Sequence, residues 1–202
     1  MTLKPTEWGV LVFTLAYVAG FGIRFVLIGN LEFLWYIATL LFFVVLIGAT
    51  IRSTRFPPLI LWALSIWGLV HMAGGGIEVD GAVLYALRLV PIAGNGEFTI
   101  LKYDQVVHFY GFAVTALVLW HLLQLHYPVL RNSWTIYVYP ALASMGLGCV
   151  NELIEFAAVL SIPDTNVGGY YNTALDLAFN SAGAVIAMLL VRVATGRDAA
   201  PA

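Results

Sequence analysis

Charged side chains are what this sequence most lacks. Of its 202 residues only 10% are Asp, Glu, Lys or Arg, against roughly 25% in an ordinary soluble domain. A water-facing surface cannot be assembled from so few. With 61% hydrophobic residues and a mean hydropathy of +0.92, the outside of the molecule is suited to lipid. An excess of positive charge is missing too. A net charge of −2 and no basic stripe exclude a phosphate-tracking surface, and with it nucleic acid as a partner. The single cysteine, Cys149, excludes an intrachain disulfide framework; set in an apolar run, it is expected to pack. No repeat, soluble domain or low-complexity tail is visible beyond the Ala/Pro end at 198–202.

What is present is apolar length. A spanning helix takes about 20 apolar residues, and such runs recur at 8–28, 33–50, 58–73, 105–126, 134–160 and 173–193. The expected fold is all-α: a polytopic membrane bundle of about six transmembrane helices, forming a single integral membrane domain over 1–202. Pro57 and Pro58 suit the start of the third span. The first span is too long, and lacks the small-residue site, for a cleaved signal peptide. The connection 74–103 holds Gly74-Gly75-Gly76, the acids Glu78 and Asp80, and a turn at Gly94-Asn95-Gly96. Its apolar segment near 83–92 is too short to span. A short re-entrant or interfacial helix is expected there, inside an ordered extracytoplasmic lid.

Basic residues set the orientation. With a cytoplasmic N-terminus, Lys4, Arg52, Arg55, Arg131, Arg192 and Arg197 fall on the inner side and Arg24, Arg88 and Lys102 on the outer, six against three. Both termini are therefore predicted inside. The ionisable residues of four helices then collect at outer ends: His71 on the third span, Asp104 and His108 on the fourth, Asn151, Glu152 and Glu155 on the fifth, Asp176 and Asn180 on the sixth. At about 1.5 Å rise per residue they share one depth to within roughly 10 Å. Asp104 with His108, Glu152 with Glu155, and Asp176 with Asn180 are three or four apart, so each pair occupies one helix face. Gly111, Gly148 and Gly183 beside them permit close helix approach. The polar faces are expected to point at one another.

Energetics limits what such a cluster can be. One Asp or Glu at the bilayer centre costs about 2.5–3.5 kcal/mol, and two like charges about 4 Å apart repel by about 4 kcal/mol at an effective dielectric near 20. Asp104, Glu152, Glu155 and Asp176 therefore need protons, cations such as Arg24, Arg88 or Lys102, or a metal. His71 and His108 favour a divalent metal: zinc, iron or manganese. Carboxylates with histidines also furnish di-iron and di-manganese bundle sites, although the Glu-x-x-His spacing of those sites is absent here. A single zinc with fewer ligands and one carboxylate left as base is equally allowed. Blander roles exist for several of these groups. Asp104 can cap the fourth helix, Asn172 and Asp176 can belong to the start of the sixth, and His71, His121 and His126 can be interfacial. Trp134, Tyr137, Tyr170 and Tyr171 read as belt anchors. Glu152 and Glu155, inside an apolar helix, resist such a reading most.

The ordered set His71-Met72-Ala73-Gly74-Gly75, Tyr103-Asp104-x-x-x-His108-Phe109-x-x-Gly111, Asn151-Glu152-x-x-Glu155 and Asp176-x-x-x-Asn180-x-x-Gly183 resembles the YjdF-like bacterial inner-membrane proteins. More distantly it is similar to the VanZ-like family, which shares an Asp-x-x-x-His, a later Glu and an Asp-x-x-x-Asn-x-x-Gly. The resemblance covers about 69–190. The chain departs from it in carrying Gly76-Ile77-Glu78-Val79 where members often show a His-Tyr-Thr-Tyr-like stretch. It implies a multi-pass protein of the prokaryotic plasma (inner) membrane, and the glycopeptide resistance of some VanZ-like members points to envelope chemistry.

The expected function is a membrane-embedded, metal-dependent enzyme, a hydrolase or di-metal oxidoreductase, at the extracytoplasmic interface. Its substrate would be a membrane lipid or lipid-linked molecule. His71, Asp104, His108, Glu152, Glu155 and Asp176 supply the metal ligands, and Glu155 or Glu152 the general base. Asn151, Asn180 and Tyr103 stand in the outer shell. A cation or proton-coupled transporter using the same acids and a non-catalytic assembly subunit are the alternatives. An alkaline phosphatase fusion joined after Asp80 is expected to be active and one joined after Asn132 inactive; the reverse pattern would invert the topology.

Overall fold

The computed structural model describes residues 3–95, 98–161 and 168–196. Gly96 of the expected turn, Arg197 and the 198–202 tail lie outside the described residues. Six helices follow one another: α1 (Pro5–Ile28), α2 (Leu31–Thr54), α3 (Pro58–Gly76), α4 (Tyr103–His126), α5 (Thr135–Ser161) and α6 (Tyr170–Gly196). All six are long and apolar enough to cross a membrane, and the protein is an all-α polytopic membrane bundle.

Local chemistry sets the helix ends. Pro5 opens α1 where a missing N–H costs nothing, and the Lys4 N–H donates to Glu7 at 2.7 Å. Gly29, left-handed at φ 68, stops it. One residue later the Asn30 side chain accepts from the Phe33 N–H at 3.1 Å and starts α2.

α4, α5 and α6 pack on one another, α3 packs on α4 and α1, and α2 lies against α1. The most apolar stretch of α2 buries nothing, and Trp35, Phe42, Phe43 and Val45 face outward, as lipid contact demands. Between α4, α5 and α6 the core is built from Ala116, Ala141, Ala184, Ala187 and Met188. Such small residues let helices lie close. The tightest point is Gly183, where an added methyl would stand 2.1 Å from the Phe109 carbonyl oxygen. Cys149, expected to pack, is exposed instead. It shares the outward stripe of α5 with Leu153 and Phe156.

α3 runs through Gly74-Gly75-Gly76, residues expected to begin the loop. Each helical glycine costs roughly 0.5–1 kcal/mol relative to alanine. The compensation is aromatic packing: a methyl would lie 2.5 Å from the Tyr85 ring at Gly74, 1.9 Å from Phe33 at Gly75 and 2.5 Å from Phe21 at Gly76. The Arg24 Nε–H donates to the Gly76 carbonyl, placing a cation at the negative end of the helix.

The short helix expected near 83–92 is corrected by the structure. Among the described residues one turn of 3-10 helix forms there, Leu84–Ala86, and 88–92 is strand instead. β1 (Glu78–Val79) pairs with β2 (Ala82–Val83) around Asp80 and Gly81, whose φ values of 52 and 81 make the mirror-image turn that Asp-Gly favours. β3 (Arg88–Asn95) pairs antiparallel with β4 (Phe98–Lys102). Pro91 within β3 is the sequence feature that argues against a helix there. Fully buried Gln105 joins this hairpin to α4: its side-chain oxygen accepts from the Lys102 N–H at 3.1 Å, and its amide donates to the Thr99 carbonyl at 2.9 Å.

Gly183→Val should lower thermal stability in detergent by about 1–3 kcal/mol through overpacking. Gly146→Ala, where the space around the glycine is open, should be near neutral. Equal midpoints for the two variants would contradict the α4–α6 contact.

Candidate metal centre

Close approach at Gly183 brings the first two turns of α4 against the start of α6. His108 Nδ1 lies 3.0 Å from Asn180 Oδ1. With that amide oxygen as acceptor, Nδ1 carries the proton and Nε2 presents its lone pair. Nε2 is 3.5 Å from Asp104 Oδ1. On the other edge of the ring, Glu152 Oε1 is 3.8 Å from Nδ1. His108, Glu152, Asp176 and Asn180 are all buried, and Asp104 is 15% exposed.

Two sets of donor atoms form around this imidazole. Asp104, His108 and Asp176 make one, His108, Glu152 and Glu155 the other, each with one ligand atom per residue within 4.8 Å of the rest. Either set could hold a metal ion. Polar atoms in the middle are unsatisfied: Glu152 Oε1, Asp176 Oδ1 and Asn180 Nδ2 are buried without a hydrogen-bond partner. Leaving a buried carboxylate oxygen in that condition costs more than the 1–3 kcal/mol typical of neutral groups. Each set includes one carboxylate with such an oxygen, and a divalent ion is what that donor chemistry matches, so the residues fit a metal.

The remaining predicted residues take different places. Glu155 is half-buried and its Oε1 accepts from Asn151 Nδ2 at 2.9 Å. Tyr103 turns away, donating to the Val70 carbonyl at 2.9 Å and fastening α4 to α3. His71 belongs to neither donor set and sits among aromatic rings, 5.4 Å from Tyr36 and 6.1 Å from Phe33 between centroids. Its Nδ1 lies 2.5 Å from the Tyr85 oxygen, which is also 3.1 Å from the His71 carbonyl oxygen and in position to donate to it. Burial, with the Asp104 and Glu155 charges next, pushes the Tyr85 phenol well up and keeps that proton on it.

Asn172 matters more than its sequence context suggests. Its amide nitrogen donates to Asp104 Oδ2 at 3.2 Å and to Asp176 Oδ2 at 2.5 Å, while Lys102 Nζ donates to its oxygen. One neutral amide thus spans two carboxylates and transmits the pull of a cation to both. The signal was available: Asn172 precedes Asp176 by one helical turn, on the same face. Tyr85 offered no such signal, because its place depends on the path of the connection. At the opposite end, His121 Nε2 lies 2.8 Å from the Thr54 carbonyl beside Phe56, well apart from the carboxylates. Arg192 stacks over exposed Trp134 at 3.1 Å.

The pattern of the family described as "Predicted membrane protein (DUF2238)" matches residues 8–197, nearly the whole chain. No curated protein and no solved structure matches.

Asp176→Asn is expected to raise the stability of chelator-treated protein by about 1–3 kcal/mol, because an uncharged amide replaces a buried carboxylate whose Oδ1 has no hydrogen-bond partner. A loss of stability on that substitution would show the charge already compensated.

Proposed function

The chain belongs to the predicted membrane protein family DUF2238, and from that premise we propose that it is a metal-dependent enzyme embedded in the membrane, acting on a lipid or lipid-linked substrate at the outer face. Within that broad family it is read as YjdF-like and distantly VanZ-like, in a prokaryotic inner membrane with both termini cytoplasmic.

One observation carries the reading. Two ligands each about 2.1 Å from a tetrahedral ion lie about 3.4 Å from one another. His108 Nε2 and Asp104 Oδ1 are 3.5 Å apart, long for a hydrogen bond and matched to a shared ion, and Asp176, one of whose oxygens is unpartnered, belongs to the same donor set. His108, Asp104 and Asp176 would hold it, Asn180 fixing the tautomer of His108 from behind. A divalent zinc, iron or manganese, when bound, supplies Lewis acidity and acidifies water.

The chain's own groups do the rest. Glu155, oriented by Asn151, is the general base, placed nearer the outer end of α5 than Glu152. Glu152 flanks the Nδ1 edge of His108 and is the second candidate for proton transfer or for a second ion with Glu155. His71 is assigned to the wall of the site, in the aromatic enclosure with Tyr85.

Support for a one-sided site over a transport path comes from the inner halves of the same helices. Every carboxylate of α4, α5 and α6 lies toward the end that carries the hairpin. Thr115 and Ser144, the polar groups next along, are bonded to the Gly111 and Phe112 carbonyls at 2.9 and 2.7 Å, so neither continues a relay.

Plasma mass spectrometry of detergent-purified protein provides the test. About one equivalent of zinc, iron or manganese is expected, lost in His108→Ala and retained in Glu155→Gln. Two equivalents would assign an ion to each donor set. Protein purified metal-free and unable to take up any of the three would end the metal reading in favour of a proton relay or an assembly subunit.

A further inference from the structure

Directly over the carboxylates the charge changes sign. A cavity of about 260 Å³ is lined by Arg88 and Lys102, by Gly168 and Gly169 just before α6, and by Asn172 in its first turn. Arg88 and Lys102 are register partners across the β3–β4 ladder. Side chains directly opposite on an antiparallel pair stand about 4.5–5.5 Å apart at Cβ, and like charges there are destabilising. Among the described residues neither cation has a carboxylate partner: Lys102 reaches only the neutral Asn172 oxygen.

The opposite wall presents donors. Gly168 and Gly169 bring bare backbone to the N-terminus of α6, a helix of 27 residues. The first N–H groups of a helix have no partner within it and lie at the positive end of its dipole. Arg88, Lys102 and the N-terminal end of α6 therefore line one space. Asn172 is the shared wall between that space and the acids, since it also bonds Asp104 and Asp176.

We infer that this cavity is an anion subsite that receives a phosphate group of the substrate beside the metal centre. The inference deepens the enzymatic reading above and rests on it for the word substrate, but phosphate binding itself does not require the metal. The arrangement serves a phosphorylated lipid or lipid-linked molecule well. Its phosphate is gripped by Arg88, Lys102 and the α6 amides, while the carboxylates below repel the same anion and leave its neighbouring bond at the metal ligands. Arg88 can bind a phosphate with two parallel N–H donors, and its exposed position on β3 makes it accessible from the outer interface.

Inorganic phosphate titrated into chelator-treated, nanodisc-reconstituted full chain by calorimetry reads the subsite without the metal. The native chain should bind it, Arg88→Gln about tenfold more weakly, and Arg88→Lys in between. Metal uptake should be unchanged in Arg88→Gln, which shows a folded site and keeps the two readings separable. A second arm uses nanodiscs of phosphatidylcholine doped with phosphatidic acid. Arg88-dependent enrichment of phosphatidic acid around the protein, without binding of inorganic phosphate, identifies the phosphate as a lipid headgroup. Failure of both probes, or binding indifferent to Arg88→Gln, overturns the subsite even if the protein holds its metal. Phosphate binding that persists in protein unable to take up metal would leave the subsite standing and remove the metal reading alone.

Discussion

The contact of Gly183 with the Phe109 backbone is the constraint from which the site is built. With no side chain at that point, α6 comes near enough to α4 for Asn180 to reach His108 and for Asn172 to reach Asp104. Any side chain at 183 would separate the helices by more than a hydrogen bond can span. The alanine-lined seam below it keeps the same pair close through the membrane. Helix spacing, which is apolar packing, thus decides whether the polar groups meet.

Much of this could be read from the chain. Six apolar runs gave six helices, because in lipid length and composition leave the backbone no other solution. The shared depth of Asp104, His108, Glu152, Glu155, Asp176 and Asn180 followed from helix rise alone. Helical period put Asp104 beside His108 on one face, and the structure brings both to Asp176. The connection between α3 and α4 was harder. Its apolar residues suit a buried helix or a strand equally; a helix is expected, although the Asp80-Gly81 turn and Pro91 point to extended chain. His71 illustrates a different limit. Its depth was legible, yet its partner is Tyr85, and no periodicity links a helix end to a residue beyond a hairpin.

Electrostatically the end of the bundle that carries the β3–β4 hairpin is layered. Buried acids form the floor, the amide of Asn172 the middle, and Lys102 with Arg88 the rim. Opposite charges stacked in a low dielectric attract over this distance more strongly than in water, so the rim helps hold the hairpin over the acids. Aromatic packing on Gly74-Gly75-Gly76 fixes the other flank, and Gln105 ties the hairpin to α4. The connection between α3 and α4 is therefore secured on two sides by unlike forces, one apolar and one hydrogen-bonded.

The crowding of Glu152 and Glu155 on α5 also bears on how the chain enters the bilayer during synthesis. α1 and α2 have no acid in their middles and can partition into lipid singly as they leave the translocon. α5 brings two carboxylates that lipid alone would reject at a cost of about 2.5–3.5 kcal/mol each near the centre. Glu155 finds relief within α5 itself, from Asn151, whereas Glu152 meets His108 of α4 at 3.8 Å. α4 precedes α5 in the chain and α6 follows it. α5 is therefore expected to enter the bilayer against α4, which already carries the imidazole that one of its two acids meets.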